Sequence, residues 1–166
     1  MKTKLEGVED MDDNYILRRS NILLGLDSID KYNAIKMTGQ RLFEDGYVER
    51  EYIDAMIERE NDLSTYIGKG VAIPHGVGAS RNCIKKSGMV VLQFPEGVDF
   101  GGEKAYLIIG IAGLGNEHIS ILSNIATVLD DENEDKIERL KKTDDVNYIT
   151  FLLHSMCSKL ELITLK

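Results

Sequence analysis

A chain of 166 residues with 43% hydrophobic content suits one domain, large enough to bury a core without metal or disulfide support. Its net charge of −8 speaks against the basic face with which proteins track a phosphate backbone, so no nucleic acid is expected, and a partner with a basic rim fits better. No apolar run approaches the roughly 20 residues of a membrane-spanning helix, and the start MKTKLEGVEDMDDNY lacks the apolar stretch of a secretory signal. The expectation is a soluble, cytoplasmic protein with no direct membrane insertion.

In chain order, residues 1–13 are acidic and polar and are read as a candidate disordered segment. Ile22 to Leu26 is a candidate strand. Ile29 to Phe43 places Ile29, Tyr32, Ile35, Met37 and Leu42 among polar residues and is followed by Gly46, the pattern of an amphipathic helix with its C-terminal stop. A second helix, Glu51 to Asn61, carries Tyr52, Ile53, Met56 and Ile57 on one face, with Glu58, Arg59 and Glu60 near its end. The period then shortens. Gly70 to Ile73, Gly88 to Phe94 and Ala105 to Ala112 are β-branched, apolar runs bounded by glycine and proline, as buried strands are. His118 to Leu129, Asp135 to Lys141 and Asp145 to about Ser158 read as helices, and residues 159–166 as a tail. Helices interleaved with buried strands predict an α/β layered domain: a central mixed sheet of about four to five strands flanked by helices.

Two histidines stand at strand ends. His75 follows the strand Gly70 to Ile73 directly, in the stretch YIGKGVAIPHG, where open α/β sheets place ligands. Pro74 fixes its own backbone, and Gly76 and Gly78 leave room for another molecule to approach the main chain. His118 lies just past the strongest strand, in GIAGLGNEHI. If the two strands are neighbours, both rings converge on one patch, where one could steady charge developing at the other. The plainer alternative is a His75 that merely hydrogen-bonds its loop. As a metal site the pair is incomplete, since the third histidine, His154, sits on a C-terminal helix, and Cys83 and Cys157 are far apart and outside any CxxC spacing. There is no Ser-His-Asp order, no nucleophile elbow, no P-loop and no dinucleotide fingerprint, so neither a metal nor a cofactor is indicated.

The segment Tyr66 to Gly76 resembles the active-site signature of the enzyme IIA domains of the mannitol and fructose class in the bacterial phosphoenolpyruvate-dependent sugar phosphotransferase system (PTS). EDGYVEREYIDAMIERENDLSTYIGKGVAIPHG, FPEGVDFGG and IGIAGLGNEHISILSNIATVLDDE resemble the mannitol-type members in order and spacing, from about Ile22 to His154. The resemblance implies a type-2 EIIA domain over residues 14–158 and a phosphotransferase without cofactor. It implies that His75 takes a phosphoryl group from phosphorylated HPr and hands it to a cysteine of the enzyme IIB component. Cys83, in RNCIKKSG, lacks the run of small residues of a IIB loop, so IIB is expected elsewhere, as a separate chain or a membrane IIBC.

His118 matches the family's second histidine, implying phosphoryl stabilisation, against the plainer reading of a helix cap. Arg59 matches an arginine whose guanidinium fork could hold phosphate oxygens, against a solvated charge in the run ERE. Backbone N–H groups of Gly76 and Val77 are candidate supporting donors. Glu117 and Asp62 match acidic positions, and Asp62 also suits a turn. Three classes follow: a sugar-specific phosphocarrier, with mannitol first and fructose as its variant; a regulatory nitrogen-type IIA, against which His118 argues; and an α/β binding module with incidental histidines.

Overall fold

The computed structural model describes residues 16–130 and 134–153. The expected start 1–13, the tail 159–166 and the last turns of the helix expected to reach Ser158 lie outside them. Five strands form one mixed sheet in the order β1-β4-β5-β3-β2: β1 (Leu17–Leu23), β2 (Tyr66–Gly68), β3 (Val71–Ala72), β4 (Gly88–Asp99) and β5 (Lys104–Ala112). The long β4 and β5 make an antiparallel hairpin, and β1 and β3 add on in parallel to β4 and β5, respectively. Helices α1 (Lys31–Glu44), α2 (Glu51–Asp62), α3 (Glu117–Leu129) and α4 (Glu134–Lys142), with a further helical segment over 146–153, complete a single layered α/β domain.

Each face of the sheet buries its own cluster, because side chains alternate along a strand. Val90, Leu92 and Phe94 of β4 and Ile108 of β5 pack with Ala34, Ile35 and Leu42 of α1 and with Tyr52 and Met56 of α2. Met89, Val91, Leu107, Ile109 and Ile111 face the other way, onto Ile121 and Ile125 of α3, Leu140 of α4 and Ile149 and Leu153 beyond it. With both faces covered, the central strands are apolar at nearly every position, which is why they are legible as continuous runs. Buried Gln93 is the polar exception. Its side-chain amide donates to the carbonyls of Leu140 and Thr143, both at 2.9 Å, and accepts from the Gly25 amide at 3.0 Å, so both its donors and its acceptor are used and it ties the end of α4 and the loop after β1 to β4.

Local signals fix the helix ends. Asp30 caps α1, its carboxylate accepting from the Asn33 amide at 3.1 Å, and Gly46 takes the left-handed conformation (φ 77°) just past the last turn. The first four sequence-predicted helices are present, shifted by at most two residues at their ends, and the fifth is present as far as residue 153, where the described residues stop. Four features differ from expectation. β4 runs on to Asp99, five residues past Phe94. β1 begins five residues before Ile22, because an edge strand carries polar Arg18, Arg19 and Ser20 that break an apolar run. β2 is a three-residue strand folded back on β3 through Lys69 (φ 53°) and Gly70 (φ 77°), too short to show a period. A 3-10 turn forms over Gly78–Cys83, where the sequence suggests no element.

Gly113 lets α3 start directly against the end of β5. A Cβ at this position would stand 2.5 Å from the Cα and 2.7 Å from the backbone nitrogen of His118, atoms that cannot rotate away. Gly113→Ala is therefore expected to cost about 1–3 kcal/mol in urea unfolding, the range for overpacking; an unchanged midpoint would mean that the start of α3 yields freely.

Candidate functional site

β3 is only two residues long, but its chain continues alongside β5: the Ile111 amide donates to the Pro74 carbonyl at 3.0 Å, and His75 pairs with Ile111 in parallel register. The two strands are thus neighbours, and each delivers its histidine to the same end of the sheet. The ring centroids of His75 and His118 are 5.2 Å apart, with their planes inclined at 56°. His118 occupies the first turn of α3, inside the helix; Asn116 holds the cap position, so the reading of His118 as the cap does not describe this helix.

His75 is 6% exposed, and its Nδ1 lies 2.6 Å from the carbonyl oxygen of Ile73. A carbonyl can only accept, so Nδ1 carries the proton and the ring's lone pair is on Nε2. Burial is the main influence on this ring and holds its pKa below the usual 6.5; the Ile73 carbonyl pulls it back up, the Arg59 charge lowers it and the Glu60 charge raises it. His118, buried at 9% exposure, is likewise held below 6.5, first by burial, then by His75 and by Arg81. Both rings are therefore neutral near pH 7.

Arg59 is close enough to His75 to lower its pKa, and its guanidinium donates to the Leu63 carbonyl just past the end of α2. That bond uses one of five N–H donors and aims the fork, at a helix C-terminus where the backbone dipole favours a cation. Asp62 is the last, exposed residue of α2. Glu117 is exposed on the first turn of α3, where its carboxylate accepts from the Ser87 hydroxyl, which in turn accepts from the Leu114 amide at 2.9 Å. This chain ties the loop before α3 to the start of β4. The Gly76 amide donates to the Tyr52 hydroxyl at 2.9 Å, so the expectation of Gly76 as a donor to an incoming phosphate is corrected. Its need for glycine is spatial: a Cβ would lie 2.5 Å from Ser80 Oγ and 2.7 Å from the Tyr52 ring. Exposed Val77 keeps its place beside His75.

Sequence reasoning placed Tyr52 on the apolar face of α2 and missed its hydroxyl. It also passed over Glu60, which is itself nearly fully buried: the carboxylate accepts from Ser64 Oγ at 2.9 Å and from the amide and hydroxyl of Thr65 at 2.7 and 2.6 Å, with Lys31 Nζ at 3.6 Å. The one available signal was a tyrosine among aliphatic residues, whose polar end must find a partner when buried. Ser87 and Arg81 gave none. Among the described residues no group of three or more His, Cys, Asp or Glu side chains is placed to hold a metal, and no helix is long and apolar enough to cross a membrane.

Comparison with known proteins follows the same residues. The family model described as "Phosphoenolpyruvate-dependent sugar phosphotransferase system, EIIA 2" matches residues 15–154. The mannitol-specific phosphotransferase enzyme IIA component of Geobacillus stearothermophilus is 50% identical over 114 residues, covering 68% of this chain and 79% of that one. The mannitol-specific EIICBA component of Pasteurella multocida is 44% identical over 143 residues, 84% of this chain but 23% of the relative, so the chain spans about a quarter of that protein's length. Among solved structures, the complex of enzyme IIA and phosphorylated enzyme IIB for mannitol from Escherichia coli matches with a TM-score of 0.75 and 40% identity, over 81% of this chain and 94% of the matched one. A family match across residues 15–154, on a mixed sheet that brings the two signature histidines together, means that the chain belongs to the type-2 EIIA family of the phosphoenolpyruvate-dependent sugar phosphotransferase system.

Proposed function

We propose that this chain is a cytoplasmic, mannitol-type phosphocarrier that accepts a phosphoryl group from phospho-HPr on Nε2 of His75 and passes it to a cysteine thiolate of an enzyme IIB component. The bond from His75 Nδ1 to the Ile73 carbonyl carries the reading, because it leaves the lone pair on the other nitrogen of a ring kept neutral by burial. Nε2 attacks phosphorus in line; the new N–P bond forms as the bond from phosphorus to the donor breaks, and the donor atom keeps the electron pair. In the second step the thiolate attacks and the pair returns to Nε2. A phosphoramidate retains the transfer potential that an ester would lose, so neither step is a trap.

Phosphoryl transfer asks the protein mainly for positioning and for donors around the three equatorial oxygens. His118, 5.2 Å from His75 between ring centroids, and Arg59 are the side chains proposed for that work, with the Val77 amide as the backbone donor of the turn. Both partners must reach the same nitrogen in line, so they share one face. Exposed Val77, Leu114 and Ile119, each within four residues of one of the two histidines, support apolar docking there. The E. coli complex with phosphorylated enzyme IIB supports a IIB partner, and the mannitol-specific names of the relatives support the sugar class.

Incubation with labelled phosphoenolpyruvate, enzyme I and HPr should label the wild-type chain on His75 alone, and His75→Ala should stay unlabelled. Label mapping to His118 would reverse the assignment. Arg59→Lys and His118→Gln should remain phosphorylatable but slow transfer by about ten- to more than a hundredfold, the worth of one charge-assisted hydrogen bond of about 1.5–3 kcal/mol in the transition state. Rapid-quench rates at wild-type level in both variants would return these side chains to structural roles.

The His75 ring, followed by NMR, should titrate with a midpoint below 6.5, since burial penalises its charged form. The same shift has a sign in stability: below 6.5 the unfolded chain takes up a proton that the folded one refuses, so stability falls with pH down to the folded-state value and is level above 6.5. His75→Gln should lose that part of the acid dependence; identical acid dependence in wild type and variant would contradict a buried neutral ring.

Phosphorylated protein should donate to a mannitol enzyme IIB far faster than to a fructose enzyme IIB. Single-turnover rates in the reverse order would remove the sugar assignment and leave the relay intact.

A further inference from the structure

Tyr52 is completely buried on α2, and its hydroxyl donates to the Ile111 carbonyl at 2.7 Å while accepting from the Gly76 amide at 2.9 Å. These partners are not incidental: Ile111 is the residue paired with His75 across the sheet, and Gly76 is the residue after it. The Ile111 amide already holds Pro74, the residue before. Parallel pairing would close its next rung between the Gly76 amide and the Ile111 carbonyl, and the phenol bridges those two groups. His75 is thereby held from both sides, through Pro74 by the sheet and through Gly76 by Tyr52. A phenol can serve there only by donating and accepting at once, which requires its neutral form, and burial pushes its pKa up to about 12.

Resting on the relay proposed above, we propose that Tyr52 is a positioning residue for phosphoryl transfer, its hydroxyl setting the distance between the end of β5 and the His75 turn and so the aim of Nε2. It touches neither donor nor acceptor. Without the hydroxyl, Gly76 and Ile111 are left to close on each other or to stand unsatisfied, and either outcome rotates the turn that presents the ring. The Nδ1 bond to Ile73, which lies within the same turn, moves with it.

The test compares Tyr52→Phe with Met56→Val, a change to another fully buried residue of α2 that packs in the same cluster and makes no polar contact. In the full chain, Tyr52→Phe should cut the maximal rate of transfer from phospho-HPr by about ten- to a hundredfold, the penalty of a small misplacement, with the half-saturating HPr concentration nearly unchanged. Met56→Val should lower the urea midpoint and leave that rate alone. In ¹⁵N spectra the His75 ring signals should shift in Tyr52→Phe and stay in place in Met56→Val, a readout independent of turnover. In the wild type the Gly76 amide should be protected from hydrogen exchange, which can be measured whether or not the variant folds. Equal transfer rates in the two variants, unshifted His75 signals or a freely exchanging Gly76 amide would overturn the inference. A wild-type chain that takes no label from phospho-HPr would overturn the relay itself, leaving the spectroscopic and exchange results to judge the clamp.

Discussion

One rung of a sheet, the bond from the Ile111 amide to the Pro74 carbonyl, decides where the chemistry can happen. β3 by itself is two residues, too short to hold the chain that follows it, and the loop after it contains the exposed Val77, Gly78 and Ala79. Because β5 pairs with β4 on one side and with β3 on the other, it is fixed before it reaches Ile111, and the rung transfers that fixity to the residue preceding His75. The same strand then runs through Gly113 into α3, whose first turn contains His118. A single strand end therefore brings the two backbones together, and the side-chain bonds of His75 to the Ile73 carbonyl and of Tyr52 to Gly76 and Ile111 complete the placement that leaves the rings 5.2 Å apart.

Placing two imidazoles this close, each nearly buried, has an electrostatic consequence. Two positive charges 5.2 Å apart would repel by about 3 kcal/mol at an effective dielectric of 20, on top of the desolvation each would suffer. The site accordingly refuses protons, and both rings stay neutral where free histidine begins to charge. A phosphoryl group on Nε2 would reverse the balance, since its negative charge lies where a proton on His118 would be welcome.

The legible part of this molecule is the part governed by period and by composition. Runs such as Ala105 to Ala112 read as buried strands because helices cover both faces, and α1 and α2 read as helices from one apolar stripe each, α1 with Gly46 as its stop. The histidines were legible as strand-end residues, though only the pairing of β3 with β5 makes them neighbours, and pairing is a long-range fact that no window of sequence contains. β2 escaped for lack of a period, and β1 was legible only at its apolar end, Ile22 and Leu23. Tyr52 was read correctly as core and incompletely as chemistry: burial was visible in its spacing, whereas the partners of its hydroxyl lie 24 and 59 residues away.

Arg59 and Glu60 show why a charge run is the hardest feature to read. Adjacent on α2, they point about 100° apart, as successive residues on a helix must. Glu60 turns inward, where Ser64, both polar groups of Thr65 and Lys31 answer its carboxylate, so its charge is largely spent on holding the turn into β2. Arg59 turns to the rim and keeps most of its donors beyond the Leu63 carbonyl. Their effects on His75 are opposite in sign, yet the arginine's outranks the glutamate's. Arg81 acts on His118 in the same sense, so arginines stand near both rings in a chain of net charge −8. The two scales serve different ends: the overall negative charge can draw a basic partner from a distance, and at contact range the arginines beside the two rings would favour an anion.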